Sequence, residues 1–237
     1  MGCGSGEGGD GRDIHRLASF HPALHSTSEG EGNIASRLSP LVPDRLAYPF
    51  PMVDADASRH TEIGIDATTR LRPWRADDLE SLLLHANDEH VSRGTSDRFP
   101  FPYTRADGEA FLAGRVVDLS APVFAIEIDG AACGGIGVRP GQGERRHGAE
   151  LGYWLGRRHW NRGHMTRIVA AFAPWVMDAL SLYRLHATVL DFNTASARVL
   201  LKTGFVEEGT QRNAVFKRGR LHDLRTFARI RDTLDAH

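Results

Sequence analysis

Glu150-Leu-Gly-Tyr-Trp-Leu-Gly-Arg-Arg-His-Trp-Asn-Arg-Gly-His-Met-Thr166 passes from an apolar, strand-like run into a basic, glycine-containing turn and then into an apolar helix. That order builds an anion site. The first amides of a helix have no carbonyl partners, so their N–H groups and the positive end of the helix dipole face whatever sits there. Arg157, Arg158 and Arg162 add charge at its mouth. A phosphate-bearing cofactor is the expectation, and two later stretches, Asn193-x-x-Ser196 and Lys202-Thr-Gly-Phe205, narrow it.

Upstream of this stretch, periodicity begins at Thr61. Ile63, Ile65 and Leu71 alternate with polar residues as one strand that Pro73 closes. Asp77 and Asp78 open a helix to about Asn87 with Leu79, Leu82 and Leu83 on one face. A second helix is expected over residues 105–119, after the turn-like Phe99-Pro100-Phe101-Pro102, whose aromatics read as packing. Residues 123–128 and 131–138 form strands joined by Asp129-Gly130, a preferred two-residue hairpin turn. The next strand covers residues 149–155.

Downstream, an apolar helix is expected over residues 163–180, with Pro174 kinking or ending it early because proline removes an amide bond. Residues 184–190 alternate as a strand. Asn193 is placed to cap a helix over 194–203, and Gly204 suits the left-handed position just past its end. Phe205 starts another strand, and a hairpin around Lys217-Arg218-Gly219 returns over residues 224–230. The sum is a mixed sheet with about four helices, an α+β or α/β single domain with no internal repeat.

Residues 1–58 are rich in glycine, serine, proline and isolated charges without a sustained period, and read as a disordered or poorly ordered extension ahead of a domain over 59–237. Met52-Val-Asp-Ala-Asp-Ala looks like a natural start, and one reading of the upstream part is that it reflects a misplaced start codon. The 237 residues are 41% hydrophobic, enough for an ordinary core, and the net charge of -1 draws the chain to neither nucleic acid nor an anionic membrane. No apolar run reaches the ~18 residues of a membrane span, and a secretory core is absent at the N-terminus. Met1-Gly2-Cys3 lacks the Ser or Thr that myristoylation wants, since position 6 is Gly6. Cys3 and Cys133 are far apart and suggest a reducing, cytoplasmic setting. The histidines show no recognisable ligand spacing, so no metal is expected; His85, His90, His147, His159 and His222 read as surface residues. Glu207 and Glu208 with Lys217, Arg218, Arg220 and Arg225 read as a solvated hairpin.

Taken together, these residues resemble the GNAT N-acetyltransferase superfamily, in the branch that acetylates the N-terminal alanine or serine of ribosomal proteins. The resemblance spans residues 68–231. Arg70-Leu-Arg-Pro-Trp74, Glu150-Leu-Gly-Tyr-Trp154, Trp160-Asn-Arg-Gly-His-Met165, Asn193-x-x-Ser196, Lys202-Thr-Gly-Phe205 and Gly219-x-x-x-Asp223 carry it, in that order. It implies a twisted, mostly antiparallel sheet of six or seven strands flanked by about four helices. It also implies acetyl-CoA as co-substrate, direct transfer in a ternary complex without a metal, and a monomer or homodimer.

The family's cofactor loop, Q/R-x-x-G-x-G/A, aligns with residues 160–165. Gly163 matches its first glycine, while Trp160 and Met165 depart from the pattern. The resemblance implies that Arg158, Arg162, Gly163, His164, Met165 and Thr166 hold the pyrophosphate. It lays residues 151–155, Tyr153, Trp154 and Leu155 among them, along the pantetheine arm as an added strand would lie. The amide of Leu155 or a neighbour then polarises the thioester. Asn193 contacts the arm or caps its helix.

The tyrosine that donates the leaving-group proton in many members is replaced by Leu200, which leaves Ser196 to hydrogen-bond the sulfur and pass a proton from water. Val215 stands where some relatives have a glutamate base. Glu150 is the nearest substitute, as a base or in a salt bridge. An α-amine, with a pKa near 8 against about 10.4 for lysine, needs far less help to be neutral, which favours an α-amine or another low-pKa amine over lysine. The resemblance implies a protein N-terminus as the acceptor. The alternatives are a small amine such as an antibiotic or polyamine, chosen by loops near residues 93–103 and Lys217, or a noncatalytic acetyl-CoA-binding module.

Overall fold

The computed structural model describes residues 61–231; the expected N-terminal extension and the start at Met52 lie outside the described residues. Ile63–Gly64 (β1) and Thr69–Pro73 (β2) form an antiparallel hairpin, not the single strand expected from Ile63 to Pro73. Asp66 breaks the run by accepting from the Thr68 and Thr69 amides, which turns the chain back. Sequence alternation cannot reveal such a reversal, because both strands keep period two.

Val123–Ile128 (β3) and Ala131–Pro140 (β4) pair through the Asp129-Gly130 turn, where both residues have positive φ, 51° and 83°. Gly148–Leu155 (β5), Arg184–Leu190 (β6), Val206–Lys217 (β7) and Arg220–Ile230 (β8) complete an eight-stranded sheet in the order β1-β2-β3-β4-β5-β6-β8-β7. The α+β class and a mostly antiparallel sheet agree with expectation; two strands in β1 and β2 raise the count to eight. Among the described residues, only β5 and β6 run parallel.

The helices are Leu79–Ala86 (α1), Glu89–Gly94 (α2), Arg105–Leu112 (α3), His164–Ala179 (α4) and Thr194–Lys202 (α5). The sequence reading lacked α2 and made α3 seven residues too long; α3 ends at Ala113 and Gly114, whose φ is 72°. Pro174 neither ends α4 early nor stops it short of Ala179, because Val176 and Met177 beyond it bury fully against the sheet. Packing overrides the local penalty of one missing amide bond.

The main core lies between the sheet and α4, from Phe124, Ile136 and Val138 to Ile168, Phe172 and Leu185. A smaller cluster of Leu82, Ala86 and Tyr103, with Trp74, Phe99 and Trp154 against it, covers the opposite face. Arg72 ties the two layers. It is 2% exposed, grips Asp78 through both Nη atoms at 2.6 and 2.7 Å, and also donates to Glu127. The Arg70-Leu-Arg-Pro-Trp74 stretch is therefore a buried ion-pair anchor.

Candidate active site

β5 and β6 separate. Their parallel pairing covers only Gly148, Ala149 and Glu150 against Arg184, Leu185 and His186, after which the strands part and leave a wedge in the sheet. The ladder with β4 fixes what faces that wedge. Gly148 O accepts from Gly141, and Gly156 N–H donates to Cys133 O at 2.7 Å, so even-numbered residues of β5 bond to β4. Antiparallel alternation then turns the N–H and C=O groups of Leu151, Tyr153 and Leu155 toward the wedge.

A cavity of about 1060 Å³ fills the wedge and opens on both faces of the sheet. On one side it meets Trp74, Phe99, Tyr103 and Phe111; on the other it meets the start of α4 and one face of α5. Glu150, Tyr153, Trp154, Leu155, Gly163, His164, Met165, Thr166, Asn193 and Ser196 all line it. Arg158 and Arg162 do not: both side chains are exposed and lie outside the cavity lining.

Gly163 caps α4 with φ 74° and ψ 0°, a left-handed conformation that glycine adopts without a Cβ penalty. The backbone bond from Arg167 N–H to Gly163 O, 3.2 Å, leaves the amides of His164, Met165 and Thr166 ahead of the helix ladder. Trp160, in the place of the usual Gln or Arg, donates its indole N–H to Leu155 O at 2.7 Å. It clips the loop to the end of β5 and leaves the Leu155 amide facing the wedge. His164 lies 3.1 Å from an Arg167 Nη atom; burial first, and then Arg167, hold its pKa below the usual histidine value.

Asn193 Oδ1 accepts from Ser196 N–H at 3.2 Å, so the capping reading of this residue is correct, and its side chain also lines the cavity. The Ser196 hydroxyl lies 2.8 Å from the Tyr153 hydroxyl. Burial pushes Tyr153 up to about 12, with the Ser196 hydrogen bond pulling the other way. Sequence reasoning assigned Tyr153 to the cofactor arm only; a side chain on β5 and another on α5 give no joint signal in the sequence. Leu200 is fully buried in the core.

Glu150 sits where the strands part. It pairs with Arg139 and accepts from Thr188 Oγ1 at 3.2 Å. Opposite it on β6, His186 has a buried Nδ1 with no hydrogen-bond partner, and burial first lowers its pKa while Glu150 opposes that. Val215 lies outside the cavity lining.

The two expected acceptor loops touch each other. Lys217, 4% exposed, donates to Asp97 at 2.7 Å, and Arg218 donates to Glu89 at 2.5 Å. The solvated-hairpin reading thus fails for Lys217, which is buried, and holds for the paired Arg225 and Glu207. Of the histidines read as surface residues, His85 is buried at 6% exposure and His159 half-buried.

Residues 69–206 match the family model described as an acetyltransferase (GNAT) domain. Among curated proteins, the chain is 31% identical over 88 residues to the uncharacterized N-acetyltransferase YoaA of Bacillus subtilis, covering 37% of this chain and 50% of that protein. It is 31% identical over 85 residues to the ribosomal-protein-serine acetyltransferase of Escherichia coli, covering 36% and 48%. The chain thus spans about half the length of the curated relatives it matches. A solved structure of RimL, the ribosomal L7/L12 α-N-protein acetyltransferase in complex with coenzyme A, shares the fold with a TM-score of 0.63 at 20% identity over 72% of this chain and 98% of that one.

Proposed function

The chain belongs to the GNAT acetyltransferase family, and we propose that it transfers an acetyl group from acetyl-CoA to a primary amine, with a protein N-terminal α-amine as the favoured acceptor. The observation that carries this reading is the parting of β5 from β6 after Glu150, over a cavity that opens on both faces of the sheet. A thioester threaded through such a wedge has its carbonyl at the sheet, its cofactor on the α4 side and its acceptor on the Trp74 side.

On the cofactor side, the amides of Gly163, His164, Met165 and Thr166 receive the pyrophosphate at the start of α4. The free edge of β5 pairs with the pantetheine amides. The Leu155 amide hydrogen-bonds the thioester oxygen and stabilises the oxyanion that forms when the amine attacks. Arg158 and Arg162, outside the cavity, contribute long-range attraction for the phosphates and no direct hold.

Collapse of the tetrahedral intermediate breaks the carbon–sulfur bond and releases a thiolate that needs a proton. Ser196 delivers it, with the Tyr153 hydroxyl at 2.8 Å orienting the serine and sharing its proton. Glu150 takes a proton through water from the ammonium form of the acceptor, and the neutral amine then attacks the thioester carbonyl. Glu150 is also paired with Arg139, and an α-amine with a pKa near 8 needs less help to become neutral than a lysine near 10.4.

The test is a panel of acceptors with purified full-length protein: peptides beginning in Ser or Ala, the same peptides N-terminally blocked but carrying lysine, and small amines. Acetylation located by mass spectrometry on the free N-termini supports the reading. A higher kcat/KM for small amines than for every peptide overturns the acceptor assignment.

A further inference from the structure

Behind the cofactor loop, three side chains from three separate elements converge: His85 at the end of α1, Cys133 on β4, and His159 in the short turn after β5. One potential ligand atom from each lies within 4.8 Å of the other two. Cys133 is 2% exposed and His85 6%, and the two imidazole rings have centroids 5.4 Å apart. His159 Nδ1 is buried with no hydrogen-bond partner. Such an atom costs free energy unless something satisfies it.

The backbone makes room for this cluster. A Cβ on Gly156 would lie 2.3 Å from His85 Nδ1, so only glycine at that position admits the imidazole. The Gly156 amide also donates to Cys133 O, which holds the end of β5 against the cysteine's own strand.

We propose that His85, Cys133 and His159 form a binding site for a single borderline-soft cation of the Zn²⁺ class. Two imidazoles and one thiolate suit Zn²⁺ and its neighbours, whereas Mg²⁺ and Ca²⁺ require oxygen ligands. Bond lengths of about 2.0 Å to nitrogen and 2.3 Å to sulfur put tetrahedral ligands roughly 3.5 Å apart, so the cluster closes by roughly 1 Å on binding. Binding displaces the thiol proton to solvent, leaving the cysteine sulfur as thiolate on the metal. Three protein ligands leave the fourth position to water. The acetyl-transfer reading uses none of the three side chains.

The consequence is mechanical. His85 belongs to α1, Cys133 to the sheet, and His159 lies four residues before Gly163. A bound cation cross-links the helix layer on one face to the root of the cofactor loop on the other. Metal occupancy therefore stiffens the loop that presents the helix amides to the pyrophosphate.

The site is tested with tag-free full-length protein in a Cys3→Ala background, so that Cys133 is the one thiol present. Titration with Co²⁺ is expected to give one equivalent bound, with a thiolate-to-cobalt charge-transfer band in the near ultraviolet that Zn²⁺ bleaches. Cys133→Ala is expected to lose the band, and His159→Gln to weaken cobalt affinity more than about tenfold. Circular dichroism checks that each variant is folded, and if Cys133→Ala does not fold, the parent and His159→Gln titrations still decide. Absence of the band at stoichiometric Co²⁺, its persistence in folded Cys133→Ala, or unchanged affinity in His159→Gln overturns the site.

Discussion

Tyr153 on β5 and Ser196 on α5 bring their hydroxyls to 2.8 Å, and the tyrosine hydroxyl also donates to Ser196 O at 3.3 Å. This contact bridges the two walls of the wedge, and in the proposed function it stands beside the sulfur of the thioester. A tyrosine pushed up to about 12 by burial stays protonated at every working pH, so it donates throughout turnover. Ser196→Ala should lower kcat by about 100-fold and Tyr153→Phe by about tenfold, with KM for acetyl-CoA changed less than threefold in either, roughly as expected for general acid catalysis. Steady-state kinetics of the two variants and the double variant check this; additive losses in the double variant would separate the two hydroxyls.

Much of the fold was legible because its signals are local. Asp129-Gly130, the 184–190 alternation, the Asn193 cap and Gly204, with φ 84°, all act within a few residues. What escaped depends on tertiary contact. The Asp66 reversal, the continuation of α4 past Pro174 and the burial of Lys217 against Asp97 come from partners remote in sequence or from packing. The site divided in the same way. The glycine turn and the asparagine cap were readable, whereas the Tyr153 to Ser196 contact, the Trp160 clip and the meeting of His85 with Cys133 and His159 join positions that share no spacing rule.

Glu150 distinguishes a weak base from a mere ion pair. Glu150→Gln should lower kcat/KM for a Ser-starting peptide about tenfold at pH 7, with the loss shrinking as pH rises past the amine's value near 8. The sign follows from the acceptor: once the amine is already neutral, the base has no proton to remove. The pH profiles of wild type and variant check it; a constant defect from pH 6 to 10 would assign Glu150 to the Arg139 pair alone.

Gly163 carries the cofactor loop. At φ 74°, Gly163→Ala should cost about 1 kcal/mol of strain and weaken acetyl-CoA modestly. Gly163→Glu should abolish binding, because it adds a carboxylate at the helix start proposed to receive the pyrophosphate. Calorimetric titration with acetyl-CoA reads both, and unchanged affinity in Gly163→Glu would sink the pyrophosphate assignment.

Arg72 anchors stability and not chemistry. Arg72→Ala leaves Asp78 buried without its ion-pair partner and Glu127 with Arg70 alone, and should cost about 3–5 kcal/mol. Burial pushes the Glu127 carboxyl up, but its hydrogen bonds from Arg72 and Arg70 hold the net value below the ordinary glutamate range. A depressed carboxylate contributes stability that is present above its unfolded value of about 4.3 and lost as pH falls through the lower folded value. Urea unfolding should therefore show wild type losing stability below about pH 4, and the variant, which keeps only the Arg70 pair, should show a smaller acid slope.

The most direct measurement is release of free coenzyme A thiol when full-length protein is mixed with acetyl-CoA and a peptide beginning in serine or alanine. Thiol release in step with acetylation of the N-terminus is expected, at a rate that collapses in Ser196→Ala while acetyl-CoA binding persists. Tight binding of acetyl-CoA with no thiol release on any amine would contradict it and leave the wedge as a cofactor-binding module.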